Sequence, residues 1–473
     1  MSDDLAYMTA TELLKGYAEG SISPVEAADA ALKQIAKYNG AINAFVLVDE
    51  DYALAEARKS EDRWQKGNPI GAVDGVPTTI KDIIYTKGWP TLRGSKTVDA
   101  AGPWEDDAPV TARLKENGAV ILGKTTTPEF GWKGVTDSPR TGITRNPWNR
   151  NVTPGGSSGG ASAACAAGMG ALHIGTDGGG SIRIPASFAG IFGIKPSYGR
   201  VPAWPLSPFG TVAHVGPMTR TVADGALMLS VLAGYDVRDW TALPPENADY
   251  LASLSTNMKG KRIAYSANLG YVKVHPEVAA AVKRAADIFA ELGAEVEEVD
   301  PGFENPLPIF NILWWSGAHF ALRNLSDAEL DELDPGLKRV VEEGSQITRV
   351  EYMEANQLRG ELGIHMRKFH ETYDLLLTPS LAIPAFEVGK LTPIPLDEAG
   401  GWVDWTPFSY PFNLTQQPAC SVPCGFTEDG LPIGLQIVGP MQNDQSVLNA
   451  AAAFETVSPA KGIRPNLAKL LED

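Results

Sequence analysis

The segment from Gly155 to Pro185 constrains this chain more than any other. Between Ser157 and Gly170 nearly every residue is Ser, Gly, Ala or Cys. A helix of such residues has no bulk of its own, so it has to pack tightly in the interior against larger elements. Three consecutive glycines, Gly178-Gly179-Gly180, then precede Ser181. A turn of bare backbone lets successive N–H groups converge on one point, the geometry that holds the negative oxygen of a tetrahedral intermediate. Ser181 stands at the end of this turn, placed for attack. The same residues also fit a tight turn followed by a helix-capping serine.

The rest of the chain reads as alternating helices and strands. Thr9 to Tyr17 is a short amphipathic helix. Ser23-Pro24-Val25-Glu26 is a capping box with Pro at the first helical position, predicting a helix to about Tyr38. Val76–Ile84 predicts a strand and loop, Val110–Glu116 a helix, and Ala119–Leu122 a buried strand. Arg262–Tyr265 and Glu295–Glu298 flank a helix over Pro276–Leu292, which implies parallel pairing through a crossover. Residues 304–375 read as mostly helical. Leu375–Leu377, Ala419–Pro423 and Pro432–Val438 read as further strands. No repeat or linker divides the 473 residues, so one α/β domain is expected over 1–473. Its signature core spans 60–230, a mainly helical excursion 235–375, and the completing C-terminal elements 375–473.

Charge and cysteine content narrow the function. The formal net charge is −17, which weighs against a nucleic-acid or anionic-membrane surface. The acidic start Met1-Ser2-Asp3-Asp4 does not resemble a signal peptide, and no apolar run reaches the roughly 18 residues of a membrane span. The cysteines are Cys165, Cys420 and Cys424. That odd, sparse count suits a reducing compartment, so a cytoplasmic location is expected. Cys420 and Cys424 read as buried thiols. No Cys/His cluster has ligand spacing, so neither metal nor cofactor is expected.

Three motifs compete for the chemistry. Gly118-x-x-x-x-Gly123-Lys124-Thr125 has the letters of a nucleotide phosphate loop, but Ala119-Val120-Ile121-Leu122 want to be a buried strand. Gly156-Ser157-Ser158-Gly159-Gly160 fits a nucleophile elbow with Ser158 as nucleophile, which requires a later acid and histidine. His319, His365 and His370 are available, though in helical sequence. The third motif is the glycine turn ending at Ser181.

Read together, Gly155-Gly156-Ser157-Ser158-Gly159-Gly160 and Gly175-Thr176-Asp177-Gly178-Gly179-Gly180-Ser181-Ile182-Arg183 resemble the defining stretch of the amidase signature family. The 24-residue spacing between Ser157 and Ser181 fits. Gly75-Val76-Pro77-Thr78-Thr79-Ile80-Lys81-Asp82 is similar to its lysine motif. Further blocks fall in order: Gly123-Lys124-Thr125 with Pro128-Glu129-Phe130, Asp374–Pro379, Pro411–Thr415 and Asp429–Gly434. The resemblance implies an α/β/α sandwich with a large mixed central β-sheet. It also implies Ser181 as nucleophile, Ser157 as bridging serine after a cis peptide, and Lys81 as base. The N–H groups of Gly178, Gly179, Gly180 and Ser181 would form the oxyanion hole, with Ser158, Asp177 and Arg183 supporting it. The chemistry is coherent, because a serine hydroxyl needs a base and burial can strip a lysine of its proton. Asp82 is expected to cap a strand end, and Lys124 to be structural.

Two positions depart from the family pattern: Thr126 replaces the usual Asn, and Gln416 the usual Gly. Both are expected near the substrate, together with Gly131, Trp132, Trp204 and Phe209. Trp314, Trp315, Trp402 and Trp405 are further candidates for an apolar pocket, the last two on a lid. The expected partner is a small-molecule amide, ester or carbamate, as for an aryl acylamidase or urethanase, with the chain a monomer or homodimer. The A subunit of a glutamyl-tRNA amidotransferase, from the same family, and a binding protein without catalysis stay open as alternatives.

Overall fold

The computed structural model describes residues 2–244, 248–393 and 402–472. Its strands are β1 (Phe45–Val48), β2 (Pro77–Lys81), β3 (Val120–Thr125), β4 (Asp137–Ser138), β5 (Gly142–Ile143), β6 (Leu172–Asp177), β7 (Phe192–Lys195), β8 (His214–Thr219), β9 (Arg262–Tyr265), β10 (Glu295–Glu298), β11 (Leu375–Pro379), β12 (Ala419–Phe426) and β13 (Pro432–Val438). Eleven of them form one mixed sheet in the order β1-β3-β2-β6-β8-β7-β12-β13-β11-β9-β10, while β4 and β5 pair separately. The sheet is parallel across β3-β2-β6 and β11-β9-β10 and antiparallel in between. Strands β2, β3, β8, β11 and β13 are buried along their whole length, as strands covered on both faces must be.

Local chemistry sets the element ends. Ser23 and Glu26 form the reciprocal cap, and Pro24 opens the helix. That helix runs to Ile42, beyond the expected Tyr38, because its stop is Asn43 in the left-handed region at φ 57°. Strands β9 and β10 pair in parallel from Arg262–Glu295 to Tyr265–Glu298, so residues 262–298 extend the sheet.

Helices cover both faces. On one, Pro276–Glu291 and Asp444–Val457 meet through the stacked rings of Phe289 and Phe454, 5.7 Å apart. Cys420 and Cys424 lie in that apolar layer. All three cysteines are free and buried, and burial pushes the Cys165 and Cys424 thiols up to about 12. On the other face, the helix Gly159–Ala166 is buried at every residue. The helices Leu307–Leu322, Pro335–Gln346 and Arg349–Phe369 form a third packing group around Phe310, Leu313, Trp314 and Leu337. Among the described residues, no helix is long and apolar enough to cross a membrane.

The small-residue helix fits because its side chains are small or, at Gly159 and Gly160, absent. A Cβ on Gly159 would lie 2.3 Å from the Thr136 hydroxyl, and one on Gly160 2.4 Å from the Thr126 backbone nitrogen. Gly160→Ala therefore drives a methyl into backbone and is expected to cost about 1–3 kcal/mol, read as a lowered midpoint in urea unfolding.

Candidate active site

Lys81 is the last residue of the fully buried strand β2. Its Nζ is fully buried and contacts three hydroxyls: Ser157 Oγ at 2.6 Å, Thr176 Oγ1 at 2.8 Å and Ser158 Oγ at 3.0 Å. No carboxylate pairs with it among the described residues. Burial drives the Lys81 pKa well below the ordinary lysine value, and the charge of Asp177 opposes this only in part. A neutral amine offers N–H donors and one lone pair. The Ser158 hydroxyl already donates to the Thr176 carbonyl at 3.2 Å, so toward Lys81 it can only accept. One N–H thus goes to Ser158, and the hydroxyls of Ser157 and Thr176 share the second N–H and the lone pair.

The two carboxylates nearest in sequence to this chemistry are engaged elsewhere. Asp82 pairs with Lys124 at 3.0 Å and accepts the Leu92 N–H, making a buried ion pair where a strand cap was expected. Burial raises the Asp82 pKa and lowers that of Lys124 to about 8, while each partner's charge offsets the other's desolvation. Lys124 is further fixed by Thr91 Oγ1 at 2.5 Å and the Pro90 carbonyl at 3.0 Å, and its four preceding residues lie in or beside buried β3. A phosphate loop is therefore ruled out. Asp177 faces Arg183 through Nε (2.9 Å) and Nη2 (3.0 Å). Burial alone would raise its pKa, but Arg183 outweighs this and holds the carboxyl below the usual range.

Asp177 also shapes the glycine turn. Its carboxylate accepts the N–H of Gly180 at 2.7 Å and of Ile182 at 3.2 Å. Of the N–H groups expected as oxyanion donors, that of Gly180 is occupied, while those of Gly178, Gly179 and Ser181 have no partner among the described residues. Side chains crowd the turn from outside. A Cβ on Gly178 would meet Trp314 at 2.8 Å, on Gly179 Phe310 at 2.7 Å, and on Gly180 the Ser409 side chain at 2.5 Å. Arg183 is locked by Asn413 Oδ1 (2.6 Å), Gln436 Oε1 (2.8 Å) and the Ser409 carbonyl (3.0 Å).

The peptide between Gly156 and Ser157 is cis. Ser157 and Ser181 both open onto a cavity of about 210 Å³. Of the expected pocket residues, Gly131, Trp204 and Phe209 line it, and so does Trp314, which stacks on Phe209 with ring centres 3.9 Å apart. Thr126, Trp132, Trp315 and Gln416 do not. Thr126 is buried beneath the small-residue helix, bonded to Thr144 Oγ1 at 2.7 Å. Trp132 is buried in the third packing group against Gly336. Gln416, at φ 65°, donates its amide to the Thr211 carbonyl. The lid expectation fails for Trp405, which is buried and stacked on Phe188 at 5.9 Å; the Trp402 side chain and residues 394–401 lie outside the described residues.

The elbow reading of Ser158 fails as well. That side chain is fully buried, does not reach the cavity, and is held by Lys81 and Thr176. His365 and His370 bond instead to the carbonyls of Pro301 and Tyr373. Sequence reading missed Thr176 as a partner of Lys81, although it stands inside the quoted motif. It also missed Ile83, Arg93 and Phe130 as cavity wall.

The sequence matches the Amidase family over residues 26–448. It is 39% identical over 470 residues to an acylamidase of Rhodococcus erythropolis, covering 98% of each chain. The fold superposes with a TM-score of 0.88 and 32% identity on the crystal structure of a bacterial aryl acylamidase of the amidase signature enzymes, covering 97% of this chain and 99% of that one. The A subunit of the glutamyl-tRNA(Gln) amidotransferase of Chloroflexus aggregans is 34% identical over 491 residues, covering 98% of this chain and 99% of that one. The chain belongs to the amidase signature family. It is an amidohydrolase, acting on carbon–nitrogen bonds of linear amides other than peptide bonds.

The depressed Lys81 pKa has a consequence for stability. Between the folded and unfolded pKa values the unfolded lysine carries a proton and the folded one does not, so stability from this group rises with pH and falls as pH drops toward the folded value. Urea unfolding of wild type and Lys81→Met across that window should show the wild type gaining on the variant as pH rises toward about 10.4, the ordinary lysine value.

Proposed function

We propose that Ser181 is the nucleophile, Ser157 the proton shuttle and neutral Lys81 the general base of an acyl-transfer hydrolase. Lys81 takes a proton from Ser157, which takes one from Ser181 as Ser181 attacks the carbonyl carbon. The free N–H groups of Gly178, Gly179 and Ser181 receive the oxyanion, and the relay runs backward to protonate the leaving amine. Water then attacks the acyl-enzyme by the same route. The observation that carries this reading is the 2.6 Å contact between Lys81 Nζ and Ser157 Oγ in a buried site without a countercharge. Ser158, Asp177 and Arg183 act as positioning residues.

The substrates are small carboxamides with an apolar acyl or aryl part. The wall of Ile83, Phe130, Trp204, Phe209, Trp314 and Leu337 supports this preference, as does the likeness to an acylamidase and an aryl acylamidase. Esters and carbamates pass through the same tetrahedral chemistry. The whole chain works as one catalytic unit, and its three buried free thiols support a reducing compartment. The 34% identity to the A protein of a glutamyl-tRNA amidotransferase favours a second reading, an ammonia-releasing component within a complex. Glutaminase activity and co-purification of partner proteins would replace the first reading with the second.

Anilide hydrolysis tests the roles. Ser181→Ala should lose about 10⁴-fold or more in kcat, Lys81→Ala nearly as much, and Ser157→Ala orders of magnitude; a larger loss in Ser158→Ala would overturn the relay. The kcat/KM profile of the wild type should rise with pH through one ionisation lying well below about 10.4. A bell centred near a histidine pKa would assign the base elsewhere.

A further inference from the structure

The cavity beside Ser181 is mostly apolar, and its lining holds three ionisable side chains besides the hydroxyls: Arg93, His214 and Asp239. Asp239 is committed, and His214 is neutral with Nδ1 engaged and Nε2 without a partner among the described residues. Asp239 accepts from the Ala203 N–H at 2.9 Å, the Thr241 N–H at 2.9 Å and the Thr241 hydroxyl at 2.6 Å. His214 turns Nδ1 toward the carbonyls of Val212 and Asp177, and burial keeps the ring neutral.

Arg93 differs. Its backbone is pinned on both sides, the N–H donating to the Asp82 carbonyl and the carbonyl accepting from the Phe130 N–H. It holds φ 54°, in the left-handed region that favours glycine, yet the position carries a long cationic side chain. The guanidinium donates to the Tyr85 hydroxyl at 3.1 Å and lies 5.6 Å from that ring. Tyr85 in turn stands edge-on to Trp204 of the cavity wall, 6.0 Å between centres. A second guanidinium, Arg238, covers Trp204 at 5.1 Å, but Asp236 neutralises it through two hydrogen bonds of 2.9 and 2.8 Å. No carboxylate pairs with Arg93 among the described residues. The rim of an apolar cavity thus carries one cation whose planar fork is mostly unused, in a chain of net charge −17.

We propose that Arg93 is a specificity-determining residue that binds a carboxylate on the substrate, carried at the end remote from the scissile amide. The inference rests on the amidohydrolase reading above and names its substrate class: amphipathic amides with an apolar body and an anionic terminus. Guanidinium and carboxylate match in a planar, two-point contact that lysine or a neutral donor cannot reproduce. The contact is made equally in ground and transition states, so it governs KM and leaves kcat alone.

The test uses 4-nitroanilides of alkanoic acids of graded length ending in either a carboxylate or a hydroxymethyl group. A second series places the carboxylate or hydroxymethyl on the aniline ring. In at least one series the wild type should show a KM about 10-fold or more lower for the carboxylate, a size expected of a charge-assisted contact. Arg93→Gln should abolish that difference with kcat and the neutral substrate's KM unchanged, and Arg93→Lys should restore part of it. Equal KM values for both termini in both series, or an Arg93→Gln loss shared by neutral and anionic substrates, overturns the assignment while hydrolysis of the neutral anilides upholds the amidohydrolase reading. Absence of turnover with every member of both series would sink both.

Discussion

Everything in this site depends on keeping a lysine amine dry and without a countercharge. In water Lys81 would hold its proton and could accept none. The fold removes it from water on the fully buried strand β2 and surrounds it with hydroxyls. Equally important is what is kept away. Asp82 follows Lys81 directly in sequence but pairs with Lys124, and Asp177 is claimed by Arg183. A carboxylate free to approach Nζ would favour the ammonium and defeat the base. The two ion pairs engage the neighbouring carboxylates, as the proposed base role of Lys81 requires.

The glycine turn is the second consequence of that arrangement. The carboxylate of Asp177 bends the turn through Gly180 and Ile182, and Arg183 anchors the carboxylate to Ser409, Asn413 and Gln436. Residues more than 200 positions apart in the chain thus fix the direction of three backbone N–H groups. From the other side Trp314 and Phe310 press on Gly178 and Gly179, so the helix Leu307–Leu322 both supports the turn and walls the cavity. Preorganised donors of this kind need no reorganisation when charge develops on the substrate.

Much of this was legible in the sequence because local chemistry wrote it there. The capping box at Ser23, the β-branched run ending at Lys81 and the small-residue helix all correspond to described elements. Arg262–Tyr265 and Glu295–Glu298 pair in parallel across their helix, as the alternation implies. The pocket was less legible. Aromatic residues advertise burial but not the surface they bury against, so Trp204 and Phe209 reach the cavity while Trp132 and Trp405 fill cores. Thr126 and Gln416 differ from the family pattern but stand behind the cavity wall. Arg93 gave no signal, since its proposed role rests on its place in the cavity lining and on an absent partner, neither of which is a pattern of letters.

The most direct test of the dry lysine is the rate at which a small fluorophosphonate modifies the protein as a function of pH, with the adduct located by peptide mass mapping. One adduct is expected, on Ser181. Its rate should rise through a single ionisation well below that of an ordinary lysine and collapse in Lys81→Ala. An adduct on Ser158, or a Ser181 rate indifferent to the loss of Lys81, would contradict it.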